Sequence, residues 1–535
     1  MANTIDFPSE RTPLISEDGS ATGPLSSSSR TVLDLPDQAR ADQEVGGVCK
    51  LDFKLFTSLL WDSIPVVLSY ILQNSIQTAS IVIAGRLGPN ELSVAAFSLM
   101  FAFVTGEYNI AHHVIRMIPR WIVALGGTTA LDTLGSQSFT GGSRKTDLSV
   151  HFQRCVLLLW ILLIPVGLLW YYIEPVLLAF GQPGHLARDV QQFLRILIIG
   201  APGYVGFESL KKYLQCQGIM GASTTVLIIV SPINIALNIL LVHYTPLGVL
   251  GSPFAVSITY WLCFFTLGIW TCYSSVHRQN GTWGGFNLVA ALDPAGCFDF
   301  LKLALPGILM VGTEWAAFEI VALAAGRLGE IPLAAQSIIM TTDQILNTLP
   351  FGIGVAASAR VGNLIGARSA PRAKIAAHAA ALLSVVVGSV VMIAMIASKD
   401  VYGLLFSDDT DVVRLVSKVM PLVASFQVAD GLAGSCGGVL RGQGRQHLGA
   451  FFNIVAYYVL ALPMGITLAF HPKTHLGLQG LWIGQVVALF IVGIGEYCVV
   501  WLGTDWDKEI QKAIERNERE GKRGATASAN AHAPN

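Results

Sequence analysis

Apolar residues along this chain fall in blocks of about twenty or more, separated by short polar stretches. An α-helix crosses the hydrocarbon layer of a bilayer in about 20 residues. Twelve such blocks occur, with cores near 58–84, 91–130, 153–173, 192–210, 224–243, 251–273, 300–325, 332–357, 374–397, 413–433, 449–469 and 477–501. Backbone groups in lipid must pair within their own segment or in a closed barrel, and no ten-residue alternation of a barrel strand is seen, so the blocks predict helices. The fold class is therefore all-α, a polytopic membrane protein. Composition agrees: of 535 residues, 53% are apolar and 13% charged, against roughly 25% charged in a soluble domain.

The polar remainder narrows the picture. A net charge of −1 leaves no basic footprint for nucleic acid. The eight cysteines form no CxxC pair and lie mostly inside spans, as small core residues do, with neither a disulfide framework nor a metal set. Residues 1–50 are rich in Ser, Thr, Asp and Pro and are expected to be a disordered cytosolic tail with no cleavable leader. Basic residues favour the cytosolic ends of spans. Arg144, Lys145, Arg154, Lys211, Lys212, Arg278, Arg368, Arg372, Lys374, Arg441 and Arg445 fall on one side, against Arg86, Arg188, Arg327, Lys399, Arg414 and Lys473 on the other. Eleven against six places both termini in the cytosol.

The chain repeats itself. AGRLG recurs at 84–88 and 325–329, each followed by a small-residue stretch, and LGSQ (134–137) faces VGNL (361–364). Half-length repetition is the mark of transporters built from two repeats. Gly85 and Gly326 are 241 apart, whereas Gly135 and Gly362 are 227 apart; the difference, fourteen residues, is the length of EYNIAHHVIRMIPR at 107–120. That segment sets Glu107, His112, His113, Arg116 and Arg120 where the second span crosses mid-bilayer. One central Arg costs about 2.5–3.5 kcal/mol there, and Pro119 breaks helix geometry. The segment reads as a translated intron or gene-model error, with a water-facing insertion as the alternative.

Taken in order, ALDTLGSQSFTGG (130–142), EWAAFE (314–319), AAQS (334–337), PFGIGVAASARVGNLIGA (350–367), ADGLAGSCGGVLRGQGRQ (429–446), NIVAYYVLALPMG (453–465) and GLQGLWIGQ (477–485) resemble the multidrug and toxic compound extrusion (MATE) family, in its eukaryotic and fungal branch, over residues 53–503. The resemblance implies twelve helices in two pseudo-symmetric six-helix lobes around a cleft that opens alternately to each side. The lobes would span 53–273 and 300–503, with a cytosolic inter-lobe loop at 274–299 and a cytosolic tail at 504–535. The insertion at 107–120 departs from that pattern.

A buried carboxylate is penalised in its charged form, so acids inside spans are candidate proton carriers. Glu314 and Glu319 share span 7 and sit about 140° apart on the helix, so one is expected at the cleft and the other within its lobe. Asp430 lies among glycines in span 10. The resemblance assigns proton coupling to Glu314, Glu319 and Asp430, with Asp343 as a weaker candidate. Gln73, Asn74, Asn234, Trp315, Tyr457 and Tyr458 are candidates for the cleft wall, the aromatic ones for planar cations. Asp132, at the end of span 2 within reach of Arg144, Lys145 and water, is grouped with Gln137, Arg360 and Asn363 as a cytoplasmic gate and packing corner.

The expected activity is not enzymatic. It is secondary active antiport: export of organic, cationic compounds or toxins from the cytosol in exchange for protons, with no cofactor and no metal, by a monomer embedded in membrane lipid. A lipid or saccharide-precursor flippase, or a non-functional product if 107–120 interrupts span 2, are the alternatives. Glu10–Ile15 (ERTPLI) has the form of an acidic dileucine signal for a sorting adaptor, which points to the vacuolar membrane, with the plasma membrane as the alternative. The charged stretch 508–523 is expected to be a solvated helix.

Overall fold

The structure is a computed structural model that describes residues 53–87, 94, 95, 98, 125–179, 183–407 and 409–531, the last seven of them as backbone alone. Segment 107–120 and the ERTPLI stretch lie outside the described residues. The described residues fall in one compact unit, Cys49–Asn535, and no strand occurs among them.

The spans are α1 (Phe53–Gly85), α2 (described over Thr129–Gly141), α3 (Asp147–Tyr171), α4 (Gly184–Gln215), α5 (Ala222–His243), α6 (Gly251–Tyr273), α7 (Pro294–Leu328), α8 in two pieces, α8a (Glu330–Leu346) and α8b (Thr348–Gly366), α9 (Ala370–Tyr402), α10 (Thr410–Gln443), α11 (Gln446–Phe470) and α12 (Leu478–Trp501). A terminal helix, α13 (Trp506–Ala531), follows. Among the described residues, ten helices are long and apolar enough to cross a membrane; the described end of α2 and the broken α8 complete the order of twelve. Large apolar side chains such as Ile161, Ile164, Leu168, Ile229, Val390 and Ile393 stand exposed on the outer faces, the surface lipid covers in an integral membrane protein.

Two helix irregularities bear on function. Pro350 has no N–H to donate and its ring crowds the carbonyl four residues back; α8 breaks just there, at Asn347, whose side chain is freed to reach α10. In α11 the turns over Ile454–Ala461 widen to a π-helix just ahead of Pro463. Asn453 and Tyr458 in that region donate to the Met310 and Thr313 carbonyls of α7 at 2.6 and 3.1 Å, pinning α11 to α7.

The first lobe packs α3–α6 around one core and the second packs α8–α12 around another. Their boundary runs inside α7 rather than at residue 300. Phe300, Ala304, Ile308 and Val311 belong to the core of the first lobe, and Ala317, Phe318, Val321 and Ala325 to that of the second. The stretch 274–299 is shorter as a loop than expected: it carries helices at Ser275–Asn280 and Leu288–Ala291, and α7 starts at Pro294, capped by Asp293. The lobes meet where α2 and α1 cross α8b. There a Cβ on Gly366 would stand 2.5 Å from the Gln137 carbonyl oxygen, and one on Gly362 would overlap Ser136, so both positions need glycine for backbones to touch.

Candidate functional site

Three of the four candidate acids, Glu314, Asp430 and Asp343, lie close together in the second lobe. Glu314 on α7 and Asp430 on α10 line one cavity of ≈ 40 Å³, together with Trp315, Asn347, Arg441, Asn453 and Glu496. Asp430 is 2% exposed and accepts from the Asn347 amide at 3.2 Å, a contact that the α8 break delivers. Asp343 is buried nearby and accepts from Gln427 at 3.1 Å. Glu319 is not among the residues lining this cavity, as its angular offset from Glu314 requires.

The residues expected on a cleft wall divide. Trp315 lines the cavity and Tyr458 is half-buried on the α7–α11 seam; Asn74 is half-buried on α1. The others are interior. Gln73 donates to Glu208 at 2.8 Å and accepts from Lys211 at 3.1 Å. Asn234 is fully buried, donating to the Ile76 carbonyl and accepting from Thr259 and Asn238. Tyr457 is fully buried among Phe318, Phe426 and Trp482. The two amides serve packing within a lobe, since a buried amide needs a partner, whereas the Tyr457 hydroxyl has no hydrogen-bond partner among the described residues.

Three of the four gate candidates, Asp132, Gln137 and Asn363, converge at the α13 end of the molecule, with a correction to the setting of Asp132. Asp132 is not a charge held near water by Arg144: it is 2% exposed, with Lys212 Nζ 3.0 Å from each of its oxygens and Arg441 Nε 3.7 Å away. It thus joins α2 to α4 and α10. Gln137 donates to the Gly442 carbonyl at 2.8 Å and accepts from Arg516 of α13; Asn363 donates to the Cys216 carbonyl at 3.0 Å. Thr133 donates to the Arg441 carbonyl. Arg360 stands apart, bound to Ser58 and Asp62 of α1. The two lobes are locked together at this end.

The family model described as MatE matches residues 65–240 and 306–467. An uncharacterised transporter of Schizosaccharomyces pombe is 37% identical over 466 residues, covering 86% of this chain and 81% of its own. Multidrug and toxin extrusion protein 2 of Mus musculus is 34% identical, covering 84% and 74%. The crystal structure of the eukaryotic MATE transporter AtDTX14 superposes with a TM-score of 0.78 at 30% identity, over 87% of this chain and 99% of that one. This chain belongs to the MATE family. As a MATE transporter it is an integral membrane protein of the multidrug and toxin efflux type, with the twelve-helix fold of that family.

Two groups inside this MATE chain escaped the reading of its sequence. Glu496 on α12 lines the same cavity as Glu314; its signal was the same, an acid in an apolar run (IVGIGEYCVVW) with no base near it. The Glu208–Lys211 pair, 2.7 Å apart and buried on α4, is hidden in the sequence because Lys211 lies near a span end, where a basic residue is ordinarily a loop charge. Arg154, Lys211, Lys212 and Arg441 are all buried. Without these four, the asymmetry of basic residues between the two faces falls from eleven against six to seven against six.

Proposed function

We propose that this MATE transporter is a proton-driven antiporter that exports organic, cationic compounds by alternating access. The observation that carries the reading is the convergence of Glu314 and Asp430, from separate helices, on one cavity inside the second lobe. Two ionised carboxylates there form a negative site suited to a cation, and two protonated ones remove that attraction. Proton and substrate then compete for the same groups, which couples their fluxes. Glu319 is a secondary acid in this scheme, off the cavity.

A cavity of ≈ 40 Å³ holds water but not an organic cation. Substrate therefore enters only when α2 parts from α8b and α10. The α13 end is taken as the cytosolic face and both termini as cytosolic. On this reading the ERTPLI stretch points to the vacuolar membrane as the site of action, with the plasma membrane as the alternative, and a fluorescent fusion of L14A/I15A should leave the vacuole.

The test is exchange in proteoliposomes, with and without residues 107–120, using a panel of organic cations under an imposed pH gradient and, separately, a sodium gradient. Transport driven by the pH gradient and lost in E314Q is the expected result. Normal uphill transport by E314Q, or drive by sodium alone, would overturn the proton-coupling assignment.

A further inference from the structure

Glu496 is 1% exposed, and neither carboxyl oxygen has a hydrogen-bond partner among the described residues. Space for it is made by absent side chains. A Cβ on Gly449 would stand 2.9 Å from its Oε1, and one on Gly437 would stand 3.4 Å from its Oε2. An ionised carboxylate left unpaired in such a place costs several kcal/mol, so Glu496 must hold a proton or gain a cation. The groups facing it are Glu314 on α7, Asp430, Cys436 and Arg441 on α10 and Tyr457 on α11; on α9, His378 meets the neighbouring Tyr497 and Trp501. Arg441 is the permanent cation of that set.

Arg441 is held by an ionic contact and by the Phe351 ring, 5.6 Å from its guanidinium carbon, more than by hydrogen bonds. It is 4% exposed and lines the cavity with Glu496. Its Nε is 3.7 Å from Asp132, beyond hydrogen-bond range, and Nε and Nη2 have no hydrogen-bond partner among the described residues. Asp132 already has Lys212 at 3.0 Å. The guanidinium thus lies between an acid of the first lobe that has another cation and an acid of the second that has none.

We propose that Glu496 is a third carboxyl of the proton site and that it shares Arg441 with Asp132. This rests on the reading of Glu314 and Asp430 as the coupling acids. With the α13 face closed, Asp132 draws the guanidinium and Glu496 holds its proton. When α2 moves away and that face opens, Arg441 turns to Glu496, whose proton passes to water at the opened face while Arg441 stays charged. Linkage is reciprocal: loss of the proton favours the open face, and closing it favours proton uptake from the other side. That cycle moves protons toward the α13 face, the direction export requires.

The full chain in lipid nanodiscs, titrated between about pH 5 and 9 with a pH-indicator dye, tests this without any substrate. E496Q should release about one proton fewer per molecule than the parent. R441Q removes the cation and should move the remaining titration up by about one pH unit, whereas D132N frees Arg441 for the carboxyls and should move it down by a similar amount. A proton count unchanged in E496Q overturns the proposal, and E496Q decides alone if the other two do not fold. Failure of the underlying reading is distinct: E314Q would then transport normally in proteoliposomes whatever E496Q titrates.

Discussion

Glu314 and Glu319 pose the same chemical problem five residues apart on one helix, and the fold answers it differently for each. Glu314 shares a cavity with Asp430; Glu319 does not line it. Neutralising an acid that carries the transported proton removes coupling, whereas neutralising one that does not touch the site changes little. E314Q and D430N should each cut pH-driven exchange in proteoliposomes by at least about tenfold, roughly 1.4 kcal/mol in the barrier. E319Q should stay within about threefold of the parent, under 1 kcal/mol on the same scale. Equal losses in all three would place the coupling path along α7 instead of across the α7–α10 cavity. Glu314 and Asp430 were legible because an acid in an apolar run has few bland explanations. Glu496 is legible by the same rule, as an acid in the apolar run IVGIGEYCVVW. Arg441, Lys212 and Asp132 were not legible as a cluster: each lies near a span end, where a charge is ordinarily solvated, and only the packing of α2 against α4 and α10 takes the water away.

Helix α8b shows how an element converts small residues into a closed junction. Its glycines let α2 lie directly against it, and the resulting contact buries Cys216, whose Sγ donates to the Leu131 carbonyl and whose own carbonyl accepts from Asn363. Adding a methyl group at Gly362 would drive a Cβ into Ser136 and to 3.2 Å from the Asp132 carbonyl oxygen. Overpacking of this kind costs about 1–3 kcal/mol, and the strain exists only while α2 and α8b are together. G362A should therefore favour the open α13 face, seen as faster maleimide labelling of Cys216 by peptide mass spectrometry. Unchanged labelling would mean that this junction is not the moving one. Repetition in the sequence paired Gly135 with Gly362 as equivalent positions of two halves, and the structure places both elements at this junction. The seam within α7 could not be read that way, because its apolar residues are alike on both sides and only their packing partners differ.

At the scale of the whole molecule, α13 is more than a solvated helix. Trp506, Ile510 and Ala513 are buried against α8b, α9 and neighbouring elements. Arg516 and Asn517 bond Gln137 of α2, and Glu520 pairs with the buried Arg154 of α3 at 2.8 Å. Arg523 reaches Asp299 at the start of α7. One helix thus ties elements of both lobes at the face where they are locked, over a cavity of ≈ 200 Å³. Charged composition alone gave no hint of this, because the same residues would suit a helix in water. Burial alone would raise the Glu520 carboxyl, but the His151 ring, the Arg154 guanidinium and Arg523 hold it down at about 2, against an ordinary 4.5. A carboxyl depressed on docking lends stability that is complete above its free value and is lost as pH falls toward its docked one. Protease protection of α13 should therefore be constant at neutral pH and decline from about 4.5 toward 2. E520Q removes the pairing at every pH and leaves Arg154 buried without its carboxylate, a loss of about 3 kcal/mol. Its α13 should be cleaved readily at pH 7, where the parent is protected, and the decline between 4.5 and 2 should flatten. If E520Q is as resistant as the parent, the apolar face of α13 alone holds the helix down, and the ion pair merely fixes its register on α3.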